Sequence, residues 1–232
     1  MNGTGRSLRR TLAAAFPHTV PVLTGYLVLG VAYGVLMQAK GYGAIWAFLM
    51  SAVAFCGSMQ FVAITLLTGA FDPVGAFLMS LMVNARHLFY GVSMLGKYRG
   101  MGWAKVPLVY TLSDETFSIV SSVEPPEGVD PTQFYFAMSF LTWAYWVVFS
   151  MLGGLAGSLI TFDITGIDFA LTALFVVLFI EQVIPRENRA PGAIGLVCSV
   201  VGLAVFGADN MVIPAMVLTL AVLLLGRRKL CA

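Results

Sequence analysis

Long apolar runs separated by brief polar interruptions dominate the chain. Eight can be marked, at residues 19–38, 44–70, 74–96, 106–123, 133–160, 169–184, 190–207 and 210–226. None alternates apolar and polar residues as a half-buried strand does. A helix needs about 20 apolar residues to cross the hydrocarbon core of a bilayer. Within lipid every backbone N–H and C=O must pair internally, which leaves only helices and closed barrels as spanning structures. The pattern predicts an all-α, polytopic membrane protein with about six to eight transmembrane helices. Its connections are short. The expected organisation is a cytoplasmic segment over 1–18, one transmembrane domain over 19–226 and a short basic tail over 227–232. The longest polar stretch, Glu124–Pro131, reads as an acidic, turn-rich loop.

The runs are not equivalent. Segment 44–70 is overlong and is interrupted by Cys56-Gly57-Ser58; segment 133–160 is also long and carries Gly153-Gly154. Segment 106–123 is barely long enough to span and holds Ser113-Asp114-Glu115-Thr116 at its middle. Positive charge clusters at Arg6/Arg9/Arg10, Lys97/Arg99/Lys105, Arg186/Arg189 and Arg227/Arg228/Lys229. Lys and Arg in short loops mark the cytoplasmic side. If all four clusters lie inside, each interval between them must hold an even number of crossings. The last interval holds two segments, but the first and second hold three each. One member of each triplet should therefore enter and leave on the same side. Segment 44–70 is the candidate in the first. In the second, 106–123 and 133–160 both qualify. Lys40 is left outside. Two triplets with an interrupted member each suggest an internal repeat of the kind that puts a transport site between broken helices. The plainer alternative is seven or eight ordinary spans with one basic loop outside.

Composition agrees. Hydrophobic residues make up 59% of the 232 and charged ones 10%, against about 25% charged in a soluble domain. Mean hydropathy is +0.90. The lipid bilayer is thus the main partner, and nothing points to nucleic acid. Cys56, Cys198 and Cys231 have no metal or redox spacing and read as small packing residues. The basic N-terminus before Val20–Met37 lacks a small-residue cleavage site and reads as leading into an uncleaved first span. The sequence holds no H-E-x-x-H, G-x-S-x-G or P-loop motif. No cofactor is expected, and the chain does not read as an enzyme.

An ionisable residue inside a span is costly and is a candidate for function. Arg86 and His87 lie deep in 74–96, beside Asn84. Arg86 suits either the carboxylate of a substrate or a structural bridge to Asp114 or Glu115. Histidine titrates near physiological pH, so His87 suits a proton relay, although a lone helical histidine is more often a core residue. Asp114 and Glu115 project about 100° apart on a helix and cannot share one partner. One can pair with Arg86 while the other binds and releases a proton. Gly57, Ser58, Gln60 and Phe61 form the other candidate group. A helix broken there frees N–H groups for a carboxylate and carbonyls for an ammonium, as an amino acid zwitterion requires; close helix packing is the alternative. Gly30-x-x-x-Gly34 and Gly153-x-x-x-Gly157 fit close helix contact. Trp143, Tyr145 and Trp146 suit either a cavity lining or an interfacial belt, and the belt is the better reading.

Phe55-Cys56-Gly57-Ser58-Met59-Gln60-Phe61, Asn84-Ala85-Arg86-His87 with Tyr90-Gly91, and Ser113-Asp114-Glu115-Thr116-Phe117 occur in order. Gly25-Tyr26 through Gly34 precedes them and Trp143 through Gly157 follows. The ordered set resembles the azaleucine-resistance (AzlC-type) branched-chain amino acid permeases. The resemblance implies export of branched-chain amino acids across a bacterial inner membrane. Apolar contact discriminates weakly between such side chains, so overlap among valine, leucine, isoleucine and methionine is expected. The resemblance also implies a separate, small AzlD-type membrane subunit. Cys56 and Ser113 depart mildly from the family pattern.

Overall fold

The computed structural model describes residues 3–159, 173, 176, 179–180 and 183–230. They form two compact units, Met1–Ile164 and Thr165–Ala232. The described residues are helical, with no strand among them.

Two long helices, α1 (Gly3–Ala39) and α7 (Pro131–Leu159), form the spine of the first unit. They run parallel and in step. Thr19 Oγ1 lies 3.0 Å from Tyr145 Oη, and Tyr26 meets Trp146 ring to ring. Gly30 lies on Phe149, and Gly157 on Gln38. The two small-residue motifs thus pack on each other. A Cβ on Gly34 would strike the backbone of Ser150, Gly153 and Gly154, and one on Gly153 would strike Val31. Only glycine permits so close an approach.

After a turn at Gly41 (φ +88°), α2 (Ala44–Val53) packs on α7, and α3 (Gly57–Thr68) packs on α4 (Pro73–Met94). The break between α2 and α3 spans Ala54–Cys56, at the expected place. Its geometry is that of a hairpin. Tyr42 Oη, before α2, donates to Leu67 O near the end of α3 at 3.1 Å. Nearer the break, Gln60 Nε2 donates to Ser51 Oγ at 3.0 Å. Were the halves collinear, Tyr42 and Leu67 would stand about 38 Å apart at about 1.5 Å per residue. The segment therefore enters and leaves at one end, as the charge count requires. At its tip, buried Phe55 has φ +36°, a left-handed backbone that costs a non-glycine residue about 1–2 kcal/mol. Such strain persists only where its surroundings dictate it.

Helix α4 is started by Asp72, whose Oδ1 accepts from Gly75 N at 2.9 Å, with Pro73 in the first position. Beyond it, a single 3-10 turn (Gly102–Ala104) leads to α5 (Lys105–Tyr110) and α6 (Asp114–Ser122). This is a second hairpin. Lys97 Nζ, just past α4, donates to Ser121 O at 3.1 Å and Val123 O at 3.0 Å at the end of α6. Ala104 and Val123 pack against one buried cluster with Met94, Tyr98 and Phe134. Of the two candidates in the second triplet, 106–123 is therefore the interrupted one. Segment 133–160 is a continuous helix, because its glycines are used for packing against α1.

The first unit thus reads long helix, hairpin, long helix, hairpin, long helix. The hairpins enter from opposite ends. Arg10, beside Gly128 of the acidic loop, shares one end with Lys97; Lys40 and Tyr42 lie at the other. In the second unit, α8 (Arg186–Asn210) and α9 (Val212–Leu230) pack as a hairpin turning at Gly207 (φ +74°). Segment 169–184, with Glu181, lies largely outside the described residues. Among the described residues three helices are long and apolar enough to cross a membrane: Arg9–Ala39, Pro131–Leu159 and Asn188–Gly207. At 22 residues, α4 also has the length, about 33 Å. Asn84, Arg86 and His87 lower its hydropathy. Its face bearing Leu88, Phe89 and Val92 is exposed, as lipid contact requires.

Candidate functional site

The two hairpin tips meet within the first unit. The open carbonyls ending α2 face the second hairpin: Tyr110 Oη donates to Ala52 O at 2.9 Å and also to Val53 O. Trp143 Nε1 of α7 reaches Ala52 O at 3.2 Å. The last carbonyls of a helix have no partner inside it, and here side chains supply one. Carbonyls freed at the break were expected to await an ammonium; these two are already occupied. At the other tip, Ser113 caps α6, its Oγ accepting from Thr116 N at 3.1 Å. Asp114 and Glu115 follow in the first turn, where the helix dipole favours carboxylates.

Helix α4 passes both tips and presents Asn84, Arg86 and Tyr90 to them. Arg86 Nη2 donates to Ser58 Oγ at 2.9 Å and lies 2.8 Å from Asp114 Oδ2. One guanidinium therefore joins the start of α3 to the start of α6. Tyr90 Oη donates to Asp114 Oδ1 at 2.6 Å, and Cys56 Sγ donates to Asn84 Oδ1 at 2.7 Å. The ion pair is not sealed: the Arg86 and Asp114 side chains are 33% and 32% exposed. Arg86 Nε, in contrast, is buried without a partner.

The adjacent carboxylates take different partners. Asp114 takes Arg86. Glu115 Oε2 accepts from Tyr26 Oη of α1 at 2.8 Å. That hydroxyl is 2.9 Å from Ser113 Oγ, and Thr116 Oγ1 continues the chain to Thr142 Oγ1 on α7 at 2.9 Å. Ser113, Thr116 and Thr142 are buried. Glu115 is thus held by a string of hydroxyls, while Asp114 is held by a cation. His87 stands apart from both: its ring lies edge-on to Tyr90 at 5.6 Å, and its buried Nδ1 has no partner.

The remaining candidates brace the first hairpin. Gln60 is 1% exposed. Its Oε1 accepts from Cys56 N at 3.2 Å and Trp146 Nε1 at 2.8 Å, and its amide nitrogen reaches Ser51. Phe61 is buried edge-on against Tyr33 at 5.5 Å. Gly57 lies beneath the Trp146 ring, where a Cβ would touch it at 3.4 Å. Trp143 and Trp146 consequently do not form an interfacial belt. They sit halfway along α7 and point their indole N–H groups at the first hairpin. Sequence reasoning missed the part of Tyr26, Tyr90 and Tyr110. The available signal was a tyrosine inside an apolar run, since a buried hydroxyl finds a partner.

The family model described as "AzlC protein" matches residues 21–160, a stretch that holds both hairpins and α4. The Bacillus subtilis branched-chain amino acid transport protein AzlC is 46% identical over 217 residues, 94% of this chain and 85% of the relative. An uncharacterized membrane protein of Helicobacter pylori is 40% identical, covering 93% of this chain and 95% of its own length. The inner membrane protein YgaZ of Escherichia coli is 22% identical over 74% of this chain and 71% of its own. No solved structure matches.

Proposed function

The chain belongs to the AzlC family of membrane proteins, and on that premise we propose that it is a secondary exporter of branched-chain amino acids. Valine, leucine and isoleucine, and methionine with them, leave across the inner membrane in exchange for protons. The N-terminus is cytoplasmic, and a small AzlD-type subunit works beside the chain. The name of the Bacillus relative supports the substrate class. The observation that carries the reading is Arg86, a partly open cation midway along α4 and bonded to both hairpin tips. A charge at membrane depth is expensive and marks a pathway more often than a bulk structural role. Two hairpins that enter from opposite ends give such a site a wall on each side. The tips offer groups that bind and release, and no nucleophile–base–orienter set of the kind covalent catalysis needs. An apolar pocket separates side chains that differ by one methylene by only about 1–3 kcal/mol, so overlap among these amino acids is expected.

Proteoliposomes holding the full chain, with and without the small subunit, test this. A carrier shows counterflow, with external leucine speeding release of labelled leucine; an open channel shows none. Arg86→Ala at normal expression should slow leucine counterflow by about 10-fold or more, and intact transport in that variant would displace the site. Collapsing the pH gradient should slow net export, and an unchanged rate would remove proton exchange.

A further inference from the structure

We propose that the amino acid inserts as a zwitterion into the Arg86–Asp114 ion pair, carboxylate on the guanidinium and ammonium on Asp114, and that a proton on Asp114 replaces the ammonium on the empty return. This rests on the transport reading and deepens it.

The groups at the tips sort themselves by the kind of partner that holds them, neutral or charged. An ammonium needs an acceptor. Ala52 O and Val53 O hold Tyr110, Gln60 Oε1 holds Cys56 N and Trp146, and Glu115 holds Tyr26. Asp114 is the acceptor whose main partner is a cation that another anion can take. A carboxylate needs donors. Arg86 uses one nitrogen, Nη2, for both Ser58 and Asp114, while Nε has no partner. A guanidinium binds a carboxylate best through two parallel N–H groups, so a ligand carboxylate satisfies the idle donor as well. Both side chains are reachable, at about one-third exposure. An α-amino acid carries its two charges side by side and in the order the pair presents. Its insertion leaves the net charge of the site unchanged and neither partner bare. Tyr90 keeps hold of Asp114 Oδ1 throughout.

The same geometry fixes the sign of coupling. Asp114 faces Arg86 and Tyr90 from α4, Glu115 beside it in the chain, the Cys56 thiol at the first tip, and Tyr26 of α1 through Glu115. From α7 this region receives the Thr142 hydroxyl and the Trp143 and Trp146 indoles, none of them charged. When the ammonium leaves, one proton binds Asp114 Oδ2 from the side then open. It departs on the opposite side as Asp114 returns to Arg86 or to a new ammonium. A protonated Asp114 cannot hold an ammonium, so proton and substrate exclude each other and move in opposite directions. Arg86 stays charged, and the return step carries the proton's charge.

The test is a competition panel on leucine counterflow by the reconstituted wild type. Leucinamide lacks the carboxylate, isocaproate lacks the ammonium, and N-acetyl-leucine has that nitrogen blocked. A site that pairs both charges should discriminate against each by about 10-fold or more. In Asp114→Asn the preference for leucine over isocaproate should collapse to near parity. In Arg86→Gln the preference over leucinamide should do the same. If either variant fails to fold, the wild-type panel still decides. Competition by any single-charge analogue at a level near leucine's, with leucine counterflow intact, overturns the insertion and leaves the transport reading standing. Absence of leucine counterflow in the wild type overturns both.

Discussion

The two hairpins share a shape and differ in chemistry. The first, α2–α3, has a tip built from Phe55, Cys56, Gly57 and Ser58, and every group in it is neutral. It is braced by Gln60, which ties Ser51, the Cys56 amide and Trp146 into one node. The second, α5–α6, is short and carries Asp114 and Glu115 at its tip, held by Arg86, Tyr90 and Tyr26 from outside the hairpin. The first tip is fixed mainly by neutral hydrogen bonds, within the hairpin and from α7; the second is held by an ion pair from α4 and by hydroxyls from α4 and α1. A tip braced by neutral bonds suits a fixed wall. A charged tip whose main partner is an ion on another helix suits the part that changes partner.

That contrast can be broken at three points, taken from the largest expected effect. Gln60→Leu strips partners from an amide, an indole N–H and a hydroxyl. Unmet buried groups cost about 1–3 kcal/mol each, so the first hairpin should lose about 3 kcal/mol in all, read as a lower thermal midpoint in detergent. A midpoint near wild type would show that Gln60 is no brace. Ser113→Ala removes only the cap of α6, worth about 1 kcal/mol. If it destabilised more than Gln60→Leu, the assignment of wall and moving part would be reversed.

The smallest effect lies at the mouth of the second hairpin. Glu124 accepts from Tyr135 Oη at 3.1 Å and pairs with Lys97 at 3.0 Å. The Lys97 and Tyr135 hydrogen bonds hold the Glu124 carboxyl below its usual value. A lowered carboxyl stabilises above its ordinary range and loses that contribution as pH falls through the lowered value. The pair is exposed and screened. Glu124→Gln should therefore melt slightly below wild type at neutral pH and converge with it in acid. A difference that grows on acidification would contradict the pairing.

Much of this could be read along the chain. That segment 44–70 breaks was visible because glycine and serine interrupt an overlong apolar run, although the break itself, Ala54–Cys56, falls just before Gly57 and Ser58. The division of labour between Asp114 and Glu115 followed from helical periodicity. Other features could not be read. Gly153-Gly154 looked as able to break a helix as Ser113-Asp114, because a glycine pair loosens an isolated helix just as it admits a neighbouring backbone. Only the presence of Val31 and Gly34 across the contact decides which. Trp143 and Trp146 looked interfacial because aromatic residues favour both the membrane boundary and buried contacts with polar tips.

The sequence by itself determined the solvent, the helices and the short roll of charged groups that lipid must tolerate. Those follow from composition, run length and charge, which act locally or on the chain as a whole. Tertiary structure decided which runs fold back, that α1 and α7 lie parallel, and that tips 55 residues or more apart in sequence meet at Arg86. Those depend on pairwise fit between distant segments. A single guanidinium reaches both tips only because α4 passes between them.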